Sequence, residues 1–251
     1  MSRVQSIERA FAVLGALTAG PIGVTEVAER VDLPKSTAAR MLASLVREGA
    51  VEQLPGESRY RLGPRIETLA TGLGATRGLA ETARPHLTEL AAMIGEAAGL
   101  SIPETDAMHY VEQVDSDHPV GVRDWTGSRI AMHAVSSGLA VLALWPRPRL
   151  DAYLDRPLER FNERTMTDPT ELRVRLQRIQ LDGHAWTNGE YAEGIASVAA
   201  GIADASGELV AAIHVHGPSY RFPEAGTETR IASAVIETAA RLSARLRQMA
   251  R

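Results

Sequence analysis

Between Ser6 and Leu17 the apolar residues Ile7, Ala10, Phe11, Val13, Leu14 and Leu17 recur every three or four positions. That period predicts an amphipathic helix, N-capped by Ser6 and stopped at Gly20-Pro21. A shorter pattern from about Thr25 to Val31 turns Val27, Ala28 and Val31 inward. A third, from Lys35 to Glu48, does the same with Ala38, Met41, Leu42, Leu45 and Val46, and Gly49 closes it. Only Asp32-Leu33-Pro34 separates the second helix from the third, the tight connection of a helix-turn-helix. Val51–Leu54 and Arg59–Leu62 flank the turn formers Pro55-Gly56-Glu57-Ser58 and read as a hairpin. Three helices followed by a hairpin predict a winged helix-turn-helix.

Gly63-Pro64 ends the hairpin. Ile66, Leu69, Ala70 and Leu73 then suggest a connecting helix that frays at Gly72, Gly74 and Gly78. From about Ala80 the pattern is mixed, with helices over Arg84–Ile94, Ser136–Leu144 and Thr170–Leu181. Strands are expected near Ala98–Ile102, Met108–Val114, Ala185–Tyr191, Ile195–Ala203 and Glu208–His216, and a long helix from Glu224 to Met249. An antiparallel sheet flanked by helices is an α+β domain, a shell suited to holding one small ligand. The expected division is 1–63 for the winged helix, 64–79 for the linker helix and 80–251 for the second domain.

Composition narrows the function. With 45% apolar and 23% charged residues among 251, disorder and collagen-like structure drop out. No run nears the roughly 18 apolar residues of a membrane span. The start, MSRVQSIERAF, has no secretory hydrophobic core, so a cytoplasmic protein with no membrane partner is expected. With no Cys, disulfides, thiolate-bound metals and thiol nucleophiles are excluded, and a metal would rest on the 7 His and the carboxylates. Walker, dinucleotide and nucleophile-elbow motifs are missing. Asp115-Ser116-Asp117-His118-Pro119 groups hydrolytic residue types but reads as a surface loop.

The net charge of −4 hides a regional split. Residues 1–79 carry 10 Lys or Arg against 8 Asp or Glu, and 80–251 carry 17 against 23; within 35–65 there are 6 basic and 3 acidic residues. The polar face of the third helix holds Lys35, Ser36, Thr37, Arg40, Ser44 and Arg47, all able to bond to phosphates or bases. Arg40 suits the two-pronged contact to guanine, while Lys35, Ser36 and Thr37 at the helix start suit phosphate. Arg59 and Arg61 share a face of the wing and reach toward a minor groove or backbone. The competing use of such a face is contact with another protein.

The runs Val4-Gln5-Ser6-Ile7-Glu8-Arg9-Ala10, Leu33-Pro34-Lys35-Ser36-Thr37 with Arg40, and Tyr60-Arg61-Leu62-Gly63-Pro64 closely resemble the amino-terminal domain of IclR-family bacterial transcription regulators. The resemblance continues through Ala83-Arg84-Pro85, Met132-His133-Ala134, Asp168-Pro169, Gly194 with Val198-Ala199-Ala200, and Gly217-Pro218, and so covers nearly the whole chain. It implies a winged-helix DNA reader joined by a linker helix to a GAF-like α/β effector-binding domain. It also implies a homodimer or dimer of dimers on palindromic double-stranded operators, more often a repressor than an activator, with no cofactor. Carried over by position, the family's effector pocket falls on Val122, Ile130, Ser136, Ser137, Thr187, Asn188, Ile195, Ser197, His214 and His216. The family's acidic 187–190 stretch is Thr187-Asn188-Gly189-Glu190 here, leaving Glu190 as its carboxylate. Leu139 stands where relatives carry Lys, and two histidines stand where they carry small residues.

His214 and His216 lie two apart in a strand, so both project from one face while Ile213 and Val215 project from the other. That face either lines a cavity or meets solvent; the family position assigns it to the cavity. There, hydroxyls and imidazoles suit a small organic acid, an aromatic one if Trp125 or Trp186 lies close. Packing inside the domain is the ordinary use of those Trp and of Trp145. His133 either caps the central helix or touches the ligand. An alternative joins His214 and His216 with His133 or Glu190 as a zinc or nickel site, making the chain a metal-dependent hydrolase. A winged-helix protein-interaction module is the other alternative.

Overall fold

The computed structural model describes residues 5–249, leaving Val4 of the first motif outside, and the chain divides between residues 77 and 78 into two units. The first begins with α1 (Gln5–Ala16), β1 (Ile22–Gly23), α2 (Val24–Arg30) and α3 (Lys35–Arg47). It continues with β2 (Val51–Gln53) and β3 (Arg59–Leu62). Val13 and Leu17 at the end of the first helix, Val27 from α2, Ala38 and Leu42 from α3, and Val51 from the wing form its buried core. The turn between α2 and α3 closes with Leu33 N–H donating to the Ala28 carbonyl at 3.0 Å, and Gly49 ends α3 at φ +72.

Three local expectations change in this unit. Ser6 is inside α1 rather than at its cap, and Ile7 and Phe11 are exposed, so only the second half of that apolar stripe is used. Val46 is also exposed, because the core is already filled from Ala38 and Leu42. The hairpin gains β1, whose Ile22 pairs antiparallel with Tyr60, making a three-stranded sheet in the order β1-β3-β2. Two residues are too short to show a period.

The two helices expected at 64–79 and 84–94 are one, α4 (Pro64–Ile94), running without a break through Gly72, Gly74 and Gly78 and containing Pro85. A glycine costs about 1 kcal/mol in a helix interior. Side chains 67, 70–73 and 75 lie outside the described residues, Ala70 and Leu73 among them.

The second unit is built on a six-stranded antiparallel sheet in the order β6-β5-β4-β9-β8-β7. Its strands are β4 (Ala97–Pro103), β5 (Ala107–Val114), β6 (Arg129–Ala131), β7 (Ala185–Asn188), β8 (Ile195–Ala203) and β9 (Leu209–Pro218). One face packs on the end of α4 and on α8 (Glu228–Met249), through Leu87, Leu90, Val198, Ile213, Val215, Val235 and Leu242. Against the other face lie α5 (Ser136–Leu142), α6 (Arg147–Leu154) and α7 (Pro169–Asp182), with Met108, Met132, Leu139, Leu142, Leu154 and Leu172 at the centre. Asp168 caps α7 by accepting from the Thr170 and Glu171 N–H at 2.8 and 2.9 Å. β6, three residues long, and α6, rich in Arg and Pro, were not expected. The strand expected to reach Tyr191 ends at Asn188, where Gly189 turns the chain at φ +72.

Candidate nucleic-acid interface and ligand pocket

With Ala38 and Leu42 holding α3 to the core, Lys35, Ser36, Arg40, Ser44 and Arg47 are exposed and Thr37 is half-buried. Among the described residues, Lys35, Arg40 and Arg47 make no ion pair; Arg47 donates to Ser44 Oγ at 3.2 Å. The wing differs. Arg59 is 2.5 Å from Glu57, and Arg61 is paired with Glu52 across the hairpin. Each of these pairs is solvent-exposed and worth about 0–1 kcal/mol, so a phosphate can displace the carboxylate at little cost. Among the described residues, the unpaired cations Lys35, Arg40 and Arg47 are spread along the exposed face of α3, with Lys35 at its start, where the backbone N–H groups favour anions.

In the second unit the sheet face turned toward α5 is polar at one end. Thr187 of β7 sits opposite Ser197 of β8, and Ser197 opposite His216 of β9. The next row on that face holds Ala199, His214 and, on β4, Gly99. A small cavity of about 40 Å³ opens over these rows. Ile195, Ser197, Thr187, His214 and His216 form its floor, and Tyr110, Trp125 and Ile130 one wall. Tyr191 and Ala192 form another, and Ala134 and Val135 cover it from the turn before α5.

Gly99 is needed because His214 lies over it: a Cβ there would stand 2.5 Å from His214 Nε2 and 2.9 Å from Cε1. The His214 ring meets Tyr110 edge-on at 4.9 Å and His216 at 5.4 Å. Neither ring nitrogen of either histidine has a hydrogen-bond partner among the described residues, and both side chains are buried. Burial pushes the pKa of His214 well below its ordinary value, with His216 adding to the effect. Burial also pushes His216 down, to about 4, against the pull of Asp115 and Asp124. Burial drives the Tyr110 phenol up to about 12, eased by the nearby Ser137 hydroxyl, which stays short of hydrogen-bond geometry. At neutral pH the cavity therefore holds two neutral imidazoles and a neutral phenol.

Six of the sequence-derived pocket residues come together here: Ile130, Thr187, Ile195, Ser197, His214 and His216. Ser136 stands just behind them, its Oγ 2.6 Å from Ser197 Oγ. Ser137 is buried in the first turn of α5, Val122 is half-buried in the loop before Trp125, and Asn188 is exposed. Glu190 points away into Arg175, at 2.6 and 2.8 Å. Trp186 packs against Phe222 at 5.7 Å on the opposite side of the sheet, so Trp125 alone of the three Trp lines the cavity. Tyr110 and Tyr191 were missed. Alternation with Met108 in β5 could have found the first, whereas Tyr191 is in a loop without a pattern.

His133 serves neither of its expected uses. Its Nε2–H donates to the Glu159 carbonyl at 2.8 Å, which makes Nδ1 the acceptor for the Tyr153 hydroxyl at 3.0 Å. It ties the 3₁₀ turn Met132–Ala134 to α6 and to the segment after it, while α5 has no side-chain cap. With His133 and Glu190 both engaged, the metal site does not assemble. Among the described residues no group of three or more His, Asp or Glu is placed to hold a metal ion. Nor is any described helix long and apolar enough to cross a membrane.

A winged helix with an unpaired basic reading face, followed by a sheet domain enclosing a small cavity, defines a DNA-binding transcription regulator. Comparison with known proteins gives the family. Residues 6–55 match the IclR helix-turn-helix domain, and residues 75–244 match the bacterial transcriptional regulator IclR C-terminal domain. The chain belongs to the IclR family. It is 34% identical over 243 residues to the HTH-type transcriptional regulator BhcR of Paracoccus denitrificans, covering 96% of this chain and 86% of that one. It is also 34% identical over 243 residues to the HTH-type transcriptional regulator Rv1719 of Mycobacterium tuberculosis, covering 96% and 92%. Among solved structures it resembles an IclR homologue from Microbacterium hydrocarbonoxydans complexed with 4-hydroxybenzoate. The TM-score is 0.64 and the identity 25%, over 97% of this chain and 99% of that one. These relatives are regulators rather than enzymes, which removes the hydrolase alternative.

Proposed function

We propose that the chain is a cytoplasmic repressor that binds a palindromic operator as a homodimer or dimer of dimers and is controlled by a small organic acid. In this reading α3 enters the major groove. Arg40 reads a base there, Lys35, Ser36, Thr37, Ser44 and Arg47 hold phosphates or bases, and Arg59 and Arg61 track the adjacent backbone. The residues up to 63 form the reader, 64–79 the linker, and 80–251 the effector domain. The observation that carries the effector assignment is the set of four unpartnered imidazole nitrogens facing an otherwise largely apolar cavity. Buried polar atoms without partners are costly, and a ligand that bonds to them recovers that cost. The carboxylate and ring of 4-hydroxybenzoate in the Microbacterium homologue support an acid, and Trp125, Tyr110 and Tyr191 offer an aromatic one three ring faces or edges.

The test has two arms. Operator fragments selected from random DNA should lose affinity steeply with salt, since neutralised phosphates release counterions. A panel of small carboxylates, followed by calorimetry on the wild type and on His214→Ala and His216→Ala, should find one that shifts operator affinity. Each variant should weaken that acid about ten- to a hundredfold, the loss of one charge-assisted bond. An acid that releases operator from the wild type and binds both variants undiminished overturns the pocket assignment.

A further inference from the structure

The cavity offers hydrogen bonds to an anion but no positive charge. Among the described residues no Lys or Arg lines it. The surrounding cations face elsewhere: Arg123 lies over Trp125 at 3.9 Å from the ring centre, Arg175 is held by Glu190, and Arg221 is held by Glu96. β7 and β8 present Thr187, Ile195 and Ser197; β4 presents Gly99 and Ser101; α5 has only Ser, Gly, Leu, Ala and Val in its sequence. The titratable groups facing the histidines are Tyr110 of β5, Tyr191 of the loop after β7, and the carboxylates of Asp115 and Asp124 from the loop between β5 and β6. Those two carboxylates act on His216 and favour its cation. His214, deeper and next to His216, receives no such help. A carboxylate entering this site would be a buried, uncompensated charge, which proteins avoid by moving a proton.

We propose that the pocket takes up a carboxylate ligand together with one proton from solvent, so that the occupied site is a carboxylate paired with the His216 imidazolium while His214 stays neutral. The proposal rests on the reading of this cavity as an organic-acid site. The balance is one carboxylate and one solvent proton bound per pocket, with no bond made or broken. Uptake follows because the ligand's charge stabilises in the complex the imidazolium that burial forbids in its absence. Affinity therefore depends on proton concentration as well as on ligand.

The test is calorimetry of the full chain with acetate, benzoate and 4-hydroxybenzoate, each beside its amide, in phosphate from pH 6 to 8 and, for the heats, also in Tris in the upper part of that range. The acids are expected to show a buffer-dependent heat equivalent to one proton taken up per site, and a Kd that rises tenfold per pH unit. The amides should show neither. His216→Gln, which can still donate but cannot become charged, should flatten the pH dependence, and His214→Gln should keep it. Should His216→Gln fail to fold, ¹⁵N-histidine spectra of the wild type decide, since one ring should convert from neutral to imidazolium on saturation with the acid. An acid that binds with buffer-independent heat and a flat Kd overturns the proton uptake and leaves the organic-acid reading standing. If no acid binds even at pH 6, or the amides bind as well as the acids, that reading falls and the proposal with it. A pH dependence that survives in His216→Gln and vanishes in His214→Gln overturns the choice of His216.

Discussion

Gly99 lies directly under the His214 ring, so Gly99→Ala perturbs the pocket without removing any group that a ligand would touch. The added Cβ would stand 2.5 Å from Nε2, 2.9 Å from Cε1 and 3.0 Å from the Glu112 carbonyl oxygen. Ordinary carbon contacts are about 3.5–4.0 Å, so the ring must retreat by roughly 1 Å. Tyr110 and His216 hold it at 4.9 and 5.4 Å on two sides. The free direction is into the cavity. Overpacking of this kind costs about 1–3 kcal/mol of stability. A ring displaced into the ligand's space should also weaken a bound acid by about ten- to a hundredfold, one charge-assisted hydrogen bond. Stability is best followed by urea with tryptophan fluorescence, because Trp125, Trp145 and Trp186 all belong to the second unit. In a His214→Ala background the ring is gone and only the Glu112 oxygen is tight, so the same substitution should cost at least about 1 kcal/mol less, the signature of direct coupling. Equal costs in both backgrounds, or undiminished acid binding by Gly99→Ala, would show that the ring does not occupy this position.

Four further outcomes are expected. Because burial holds His216 at about 4 and His214 well below its ordinary value, against about 6.5 in the unfolded chain, the second unit should have its full stability above pH 6.5 and lose it as pH falls toward 4. His216 alone accounts for about 3 kcal/mol of that loss, and a urea midpoint unchanged from pH 7 to 5 would contradict this. Arg40→Ala should leave the fold intact and cost about 1–3 kcal/mol at one base pair; an unchanged base preference in competitive gel shifts would mean that α3 does not read DNA through this side chain. Sedimentation at micromolar concentration should give at least a dimer, the expected contact being the linker segment with Ile66, Leu69 and Leu73, the side chain of the last lying outside the described residues; a monomer with and without operator counts against it. His214→Leu with His216→Leu should raise urea stability by about 1–3 kcal/mol while abolishing acid binding, and a loss of stability would show that the imidazoles are satisfied within the protein.

How much of this was legible in the sequence depended on length and period. α1, α2, α3 and the hairpin each carried several repeats of their own pattern and appeared within a residue or two of the expected bounds. β1 and β6 have two and three residues, below any detectable alternation, and α6 reads Arg-Pro-Arg-Leu at its start. α4 failed for a different reason. Gly and Pro lower local helix propensity, but a helix whose C-terminal part is packed through Ala83, Leu87, Leu90 and Ala91 tolerates such weak points. The site was half legible. A spacing of two put His214 and His216 on one face, yet only the finished sheet shows that this face meets α5 while Ile213 and Val215 meet α8. Glu190 could not be placed, since the Arg175 that claims it lies fifteen residues upstream on a helix whose rotation the sequence leaves open.

The contrast between the two faces of β9 is what makes the pocket informative. Ile213 and Val215 are fully buried among aliphatic side chains, the arrangement that folding alone favours. One residue away in each case, His214 and His216 are equally buried with nothing to bond to. Each unsatisfied buried polar group costs on the order of 1–3 kcal/mol, against a total stability of about 5–15 kcal/mol for a domain. Ser101 and Ser137 add two more unpartnered hydroxyls near the same place. Of the unpartnered buried polar atoms, the four imidazole nitrogens line one cavity while His86 Nδ1 and Trp145 Nε1 lie elsewhere, and the burden at the cavity does not help the chain fold. It is offset only when something fills the space and bonds to it, and a ligand that does so stabilises the domain in proportion to its own affinity. The stability this unit gives up when empty is thus the reserve from which binding free energy is drawn, which is the coupling a ligand-controlled regulator requires.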